Sequence, residues 1–144
     1  MPYEVKATPI AVKQIAALRG PRRKAFEAFV RALSVEGCKA LGYRLTGAEP
    51  LPHLCVEHLR GSDRVVVAFE DQVAWVLLVG PHDEGDRRAD IYAALYDLVG
   101  VERSDEQRTK PPCCTTEDEP PTFPASALEA LTTRGKALAI GAVA

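Results

Sequence analysis

The stretch LPHLCVEHLRGSDRVVVAFEDQVAWVLLVG, residues 51–80, decides the fold of this 144-residue chain. It holds three strand-like segments in close succession, separated by turn residues at 61–63 and by a short connection at 71–72. Residues 73–79 are apolar almost throughout, which predicts a central strand covered on both faces. The stretch therefore predicts three consecutive antiparallel strands.

A strand and two helices are predicted before this stretch. Residues 3–7 alternate apolar and polar side chains, as a half-buried strand does. Thr8 then caps a helix that has Pro9 in its first turn and ends at Gly20. Pro21 begins a second helix, whose core-facing stripe consists of Phe26, Phe29, Val30 and Leu33. The two helices are expected to form a hairpin across the sheet.

The C-terminal part of the chain divides into a helix and an arm. Residues 89–100 carry apolar stripes at helical spacing and end at a glycine suited to a helix C-terminus. Residues 101–124 are polar, acidic and interrupted by prolines, and residues 125–144 are apolar enough for one short helix. We expect an α+β domain over residues 1–100, in which the hairpin packs on a small antiparallel sheet and a C-terminal helix follows. Residues 101–144 would form an arm that either folds back on the domain or binds a partner.

Composition predicts a cytoplasmic protein with an ordinary core. Apolar residues make up 47% of the chain, and the longest apolar run is far too short to cross a bilayer. The N-terminus lacks the features of a signal peptide. The formal net charge is −2 at pH 7, and acidic and basic residues balance over residues 1–110. A strong nucleic-acid binder is usually more basic than this.

Four cysteines, Cys38, Cys55, Cys113 and Cys114, show no C-x-x-C spacing. We expect no disulfide framework, because adjacent cysteines rarely bridge each other and the chain has a good apolar core. His53 and Cys55 alternate onto one face of a strand, so a zinc site with the cysteine pair is conceivable. Its spacing matches no familiar zinc pattern, and we expect no metal or cofactor.

Basic and histidine side chains collect where the predicted strands turn. His58, Arg60 and Arg64 flank the first turn. The group after the last strand consists of His82, Arg87, Arg88 and Tyr92. An imidazole can move protons near neutral pH, and a guanidinium can hold a phosphate through two hydrogen bonds. A sheet with both groups at its rim could bind or cut a nucleic acid.

Several short motifs follow one another along residues 3–100 in an order that carries a family resemblance. The motifs are YEVKATPIAVKQIAAL, GYRLTG, CVEHLRGSDRVVVAF, WVLLVGPHD and IYAALYDL, with a weaker echo in RTKPPCC. In this order they resemble the RelE/ParE superfamily of bacterial toxins, and most closely its actinobacterial versions. The resemblance implies a compact fold in which a helical hairpin backs an antiparallel sheet. It also implies an antitoxin encoded beside the toxin.

Two activities compete within that superfamily. RelE-like members cut messenger RNA in the ribosomal decoding site, where the ribose 2′-hydroxyl attacks the adjacent phosphate and no metal is required. ParE-like members poison DNA gyrase. Cleavage requires a base, an acid and positive charge near the phosphorane. A degenerate member that only binds an antitoxin is a third alternative.

The resemblance also implies residue roles. Arg64 occupies the place of the arginine that contacts the scissile phosphate in RelE-like toxins, and His58 and Arg60 match basic positions of the preceding strand. His82 lies where relatives carry a catalytic arginine or histidine. Tyr92 matches a tyrosine that stacks on a base or transfers protons. We expect His58 and His82 to act as base and acid in either order, and both arginines to stabilise charge.

Further basic side chains are expected to bind RNA, namely Arg87, Arg88, Arg22, Arg23 and Lys24. Each expectation has a plainer alternative. The basic cluster that starts at Arg19 could be a solvated face. Tyr92 could serve packing alone, and Arg64 could be a surface partner of Asp63 or Glu70.

Three acids follow His82 closely, namely Asp83, Glu84 and Asp86. They either hold the charged form of the imidazole or repel the phosphate that should approach it. The second alternative would leave the site in place without its activity.

Overall fold

A computed structural model describes residues 3–83, 85–86, 88, 90–102 and 110–123 of the chain. Its elements are β1 (Glu4–Ala7), α1 (Pro9–Ala16), α2 (Gly20–Glu36), β2 (Tyr43–Arg44), β3 (Leu54–His58), β4 (Asp63–Glu70), β5 (Val73–Pro81) and α3 (Ile91–Val99). Short 3-10 turns lie at Gly37–Ala40 and Leu51–His53. None of the helices in this part of the chain is long and apolar enough to cross a membrane.

The five strands form one sheet in the order β1-β5-β4-β3-β2. The strands β3, β4 and β5 pair antiparallel, as the sequence predicts. The α+β class is confirmed, but the sheet is mixed because β1 pairs with β5 in parallel. The helices α1 and α2 separate β1 from the other strands, and such a crossover is what parallel pairing requires.

The sequence predicts a loop at the position of β2. This strand has only two residues, which pair with β3 through Tyr43↔Val56 and Arg44↔Cys55. Two residues are too few to show the alternation by which strands are detected. The strand is important for the site described below, because it forms the sheet edge that carries Tyr43.

The sheet is covered on both faces, which confirms the prediction of a buried central strand. One face packs against α1 and α2, and its buried residues include Phe26, Phe29 and Leu33 of the predicted stripe. The other face packs against α3 through Ile91, Leu95 and Leu98. The strand β4 contributes to both, since Val65, Val67 and Phe69 belong to the first cluster and Val66 and Ala68 to the second.

Two disulfides join the predicted arm to the domain, so the expectation of no disulfide framework is wrong. Cys114 bonds to Cys38 and Cys113 bonds to Cys55. Adjacent cysteines do not need to bridge each other, because neighbouring side chains of an extended chain point to opposite sides and each can reach its own partner. Cys55, Cys113 and Cys114, which the conceivable zinc site would use, are all bonded in these disulfides. In the described part of the chain, no three His, Cys, Asp or Glu side chains are grouped so that they could hold a metal ion.

Residues 110–123, which we call the strap, lie against the sheet. At one end the N–H of Arg44 donates to the carbonyl of Pro111 at 2.7 Å, and at the other the N–H of Phe123 donates to the carbonyl of Phe69 at 2.8 Å. Cys113 and Phe123 are buried. This part of the predicted arm is therefore attached to the domain. Residues 103–109 and the possible helix over 125–144 lie outside the described residues.

Candidate active site

The ends of β3, β4 and β5 bring the predicted site residues together. His58 is the last residue of β3 and lies directly opposite Arg64 of β4, which in turn pairs with Gly80 of β5. His82 follows β5, and its N–H donates to the carbonyl of Ser62 in the β3–β4 turn at 2.8 Å. We call this end of the sheet the site end. The register explains why residues separated by a turn and a strand in sequence are neighbours here.

A buried carboxylate holds the imidazole of His82. The Nδ1 atom of His82 lies 2.9 Å from the Oδ1 atom of Asp90, whose side chain is only 3% exposed. Asp90 is the N-cap of α3, and its carboxylate also accepts the N–H groups of Asp83 and Ala93. Burial opposes ionisation of Asp90, but the bonds from His82 and the two backbone donors outweigh it and lower the pKa of this carboxyl. Asp90 therefore fixes the orientation of the His82 ring as an ionised partner.

The other acids of this loop have different partners. The carboxylate of Asp83 accepts the N–H of Gly85 at 3.0 Å, and that of Asp86 accepts the N–H of Arg88 at 3.0 Å. Both serve as turn caps for the loop backbone. Asp90, whose carboxylate bonds to His82, is not among the residues selected from the sequence. Glu84 lies outside the described residues.

Two tyrosines connect α3 to the sheet edge. The hydroxyl oxygens of Tyr92 and Tyr43 lie 2.5 Å apart, and the Tyr92 ring meets the His82 ring edge-on at 4.8 Å between centroids. Burial raises the pKa of the Tyr92 hydroxyl, the bond with Tyr43 raises it further, and nearby Arg64 opposes this rise. Tyr92 therefore stays protonated near neutral pH. It packs at the edge of the α3 core, and its hydroxyl lies at the site end beside that of Tyr43.

The second histidine is more exposed than the first. The His58 ring meets the Tyr43 ring edge-on at 6.2 Å between centroids. Partial burial lowers the pKa of His58, and the positive charges of Arg64, Lys110 and His82 lower it further. The neutral imidazole, which can accept a proton, is therefore the favoured form of His58 near neutral pH.

The arginines of the first turn differ in their surroundings. Arg64 is half-buried and its Nη1 atom donates to the carbonyls of Asp63 at 3.1 Å and Gly61 at 3.4 Å. The carboxylate of Asp63 is bound by Arg22 through two hydrogen bonds of 2.7 and 2.8 Å. Asp63 therefore does not neutralise Arg64. Arg60 is exposed in the turn and lines an open groove between this turn and α2.

The predicted RNA-binding residues are scattered. Arg22 is bound to Asp63, and the Nη1 atom of Arg23 donates to the carbonyl of Ile15 at 3.3 Å. Lys24 and Arg88 are exposed, and Arg87 lies outside the described residues. The predicted RNA-binding side chains are thus only partly available to a ligand.

The third histidine lies at the opposite end of β3. His53 bonds to the carbonyl of Thr122 at 3.1 Å and to the carboxylate of Glu49 at 2.7 Å. Its ring meets that of Phe123 edge-on at 5.7 Å. A five-residue strand separates it from the site end by about 16 Å, so His53 and His58 are too far apart to serve one site.

Comparisons with known proteins find solved structures that match part of the chain at low sequence identity. No family model and no curated protein matches the chain. The RelE–RelB complex of the archaeon Pyrococcus horikoshii OT3 is 24% identical and covers 59% of this chain and 100% of that chain, with a TM-score of 0.45. A free, doubly mutated Escherichia coli RelE toxin is 22% identical and covers 59% of this chain and 88% of its own, with a TM-score of 0.48.

The toxin–antitoxin complex RelBE2 of Mycobacterium tuberculosis is a third match, at 24% identity over 55% of this chain and 96% of that chain, with a TM-score of 0.43.

The site end combines the groups that phosphodiester chemistry needs. It offers a histidine that favours its neutral form, an arginine directly opposite it, and a histidine held by a carboxylate. Proton acceptor, proton donor and fixed positive charge are thus within one small area of surface. Asp90 and Tyr43 were not predicted as site residues. In the sequence Asp90 indicates only a helix N-cap and Tyr43 only a position in a two-residue strand, and neither pattern indicates chemistry by itself.

Proposed function

We propose that this protein is the toxin of a type II toxin–antitoxin system and cuts messenger RNA on the ribosome without a metal. The observation that carries the proposal is the convergence of His58, His82 and Arg64 at the site end, with His82 held by the buried carboxylate of Asp90. The resemblance of the sequence to RelE/ParE toxins supports the same function.

His58 serves as the general base in this proposal. The neutral imidazole takes the proton of the ribose 2′-hydroxyl, and the 2′-oxygen then attacks the adjacent phosphorus. The lowered pKa of His58 keeps it ready to accept this proton near neutral pH. Because the nucleophile belongs to the substrate, the protein does not need to activate a water molecule.

His82 serves as the general acid. Its imidazolium gives a proton to the departing 5′-oxygen, and the Asp90 carboxylate stabilises the positive charge on the ring before the transfer. The bond between phosphorus and the 5′-oxygen breaks, which leaves a 2′,3′-cyclic phosphate and a 5′-hydroxyl. Arg64 stabilises the charge of the phosphorane, with Arg60 of the same turn as a second cation. The Tyr92 hydroxyl, bonded to that of Tyr43, offers a hydrogen-bond donor or a surface for a base.

The proposed partners are a cognate antitoxin, the ribosome and messenger RNA. Two of the structural matches are complexes with RelB or of RelBE type, which supports an antitoxin partner. Arg23, Lys24, Arg87 and Arg88 are proposed as outer RNA contacts, whereas the guanidinium of Arg22 is already bound to Asp63. Action on the ribosome would place the protein in the cytoplasm.

Induction of the toxin in cells tests this function. RNA 5′ ends are mapped and DNA supercoiling is followed after induction of the wild type, of Arg64→Ala and of His82→Ala. We expect cleavage in phase with codons that vanishes in both variants. Intact RNA together with gyrase-trapped DNA breaks would contradict the proposal and favour the ParE-like alternative. Intact RNA and intact DNA would favour a module that only binds an antitoxin.

A further inference from the structure

The strap brings one more cation to the site end. The Nζ atom of Lys110 lies 5.2 Å from the centroid of the Tyr43 ring, within the range of a cation–π contact. Tyr43 in turn contacts His58 by its ring and Tyr92 by its hydroxyl. Lys110 also acts on His58 through space, since its charge contributes to the lowered pKa of that histidine. It is exposed, so its ammonium group is open to a ligand.

The backbone position of Lys110 is restricted by the two prolines that follow it and by the disulfide of Cys113. Pro111 and Pro112 follow it, and proline rings restrict the backbone to extended conformations. Cys113 comes next and is bonded to Cys55, the second residue of β3. The carbonyl of Pro111 accepts the N–H of Arg44 in β2. Two residues thus separate Lys110 from an anchor in the sheet, so much of the backbone entropy of placing the charge is lost on folding rather than on binding.

The location suits a phosphate next to the scissile one. Arg64 lies on the β4 side of His58 and Lys110 lies on its β2 side, so two cations flank the proposed base along the sheet edge. A single RNA strand presents successive phosphates along its length, and each contact with a cation strengthens binding through counterion release. The formal charge of −2 leaves the chain without a general attraction to RNA, which increases the importance of each placed cation.

We propose that Lys110 binds a phosphate of the RNA substrate beside the scissile position, and that the strap holds it there through the Cys55–Cys113 disulfide. This inference rests on the proposed RNA-cutting function. It adds a substrate-binding residue from outside the predicted toxin domain.

Single-turnover cleavage on ribosomes programmed with a defined message tests the inference with oxidised protein. Lys110→Ala is compared with Lys110→Arg and with Lys6→Ala. Lys6 is a matched control because its Nζ atom lies 5.6 Å from the Trp75 ring, at the far edge of the sheet. We expect Lys110→Ala to lower kcat/KM about tenfold, mainly through KM, because one charge-assisted contact is lost. Lys110→Arg should retain most of the activity, and Lys6→Ala should match the wild type.

Salt and reduction provide two further readouts. The dependence of log kcat/KM on log salt concentration should become shallower by about 0.7 in Lys110→Ala, as expected for one phosphate contact to a single strand. Reduction of the disulfides should lower the wild-type rate towards that of Lys110→Ala and change the variant little, with far-UV circular dichroism as the check on folding.

The outcomes separate the two proposals. An active wild type whose Lys110→Ala variant keeps its KM and salt dependence would overturn the role of Lys110 alone. Equal loss on reduction in wild type and variant would overturn the anchoring by the disulfide. A wild type that cuts no RNA on any programmed ribosome would overturn the proposed function, and this inference with it.

Discussion

The two ends of β3 carry similar groups of side chains with different consequences. At the site end His82 is bonded to the carboxylate of Asp90 at 2.9 Å, and at the opposite end His53 is bonded to the carboxylate of Glu49 at 2.7 Å. Each histidine also meets an aromatic ring edge-on. A histidine bonded to a carboxylate and packed on a ring is therefore present twice in this small domain.

The two ends of β3 differ in the burial of the carboxylate and in the side chains that surround the histidine. The side chain of Asp90 is 3% exposed, whereas that of Glu49 is 74% exposed, so solvent screens the pair at the opposite end far more strongly. Only at the site end do a second histidine and Arg64 stand on neighbouring strands. A histidine–carboxylate pair alone does not make a site for phosphodiester cleavage. Such a site also requires a proton acceptor and a fixed cation within reach of the same phosphate.

The largest expected difference between the two ends comes from replacing the histidine at each of them. His82→Ala removes the proposed acid and should lower the rate of cleavage on ribosomes by about 10²–10⁴-fold. His53→Ala, the matched change at the opposite end, should leave the rate close to that of the wild type. Quantification of cleaved message in single turnover measures both. An equal loss in the two variants would show that the two ends do not differ in function.

A smaller effect is expected from the carboxylate that orients His82. Asp90→Asn keeps a side-chain oxygen for the helix cap but removes the charge that stabilises the imidazolium. We expect about a tenfold lower kcat and also a lower melting temperature, because the amide nitrogen replaces one of the two oxygens that accept hydrogen bonds in this buried position. Glu49→Gln is the control at the opposite end and should change neither quantity. A full rate in Asp90→Asn would remove the proposed positioning role.

The dependence of the rate on pH sharpens the assignment of the base. The pKa of His58 is lowered from its ordinary value of 6.5, so the neutral form persists to lower pH than in a free histidine. The acid limb of kcat/KM should therefore have its midpoint below pH 6.5, with the rate falling as pH falls through that midpoint. Lys110→Ala removes one nearby positive charge and should move the midpoint upward. A midpoint above 6.5 in the wild type would exclude His58 as this base.

The smallest expected effect concerns stability rather than rate. Arg22→Ala leaves the buried carboxylate of Asp63 without its two hydrogen bonds at the β3–β4 turn, and should lower the free energy of unfolding by about 1–3 kcal/mol. Arg23→Ala loses a single bond to a carbonyl on an exposed surface and should cost much less. Urea titration of the oxidised proteins compares them. Equal stabilities would mean that solvent replaces the Arg22–Asp63 pair.

The sequence was sufficient for the parts that periodicity and turn chemistry determine. The apolar stripe of α2, the turn at 61–63 and the run at 73–79 produced the right elements in the right order. Because the predicted turn joins two antiparallel strands, it also brings His58 and Arg64, which flank it, to the same end of the sheet. The position of His82 followed from the next strand in the same way.

What the sequence did not indicate depends on contacts between distant residues. Asp90 reads as an ordinary helix cap, and its bond to His82 exists only because β5 ends beside α3. The partners of Cys113 and Cys114 lie 58 and 76 residues away, a separation that no local pattern reports. The position of Lys110 near the site end was not indicated for the same reason, since Lys110 lies just before these two disulfide-bonded cysteines.

The ends of the cleaved RNA test the central claim most directly. Purified wild-type protein is incubated with ribosomes programmed with a defined message, and the product termini are identified by mass spectrometry and by ligation with and without prior kinase treatment. Attack by the 2′-hydroxyl predicts a 2′,3′-cyclic phosphate or the phosphate derived from it, together with a 5′-hydroxyl that is ligated only after phosphorylation. These products should disappear in His82→Ala and persist in His53→Ala. Uncut message, or products with a 5′-phosphate and a 3′-hydroxyl, would contradict the account.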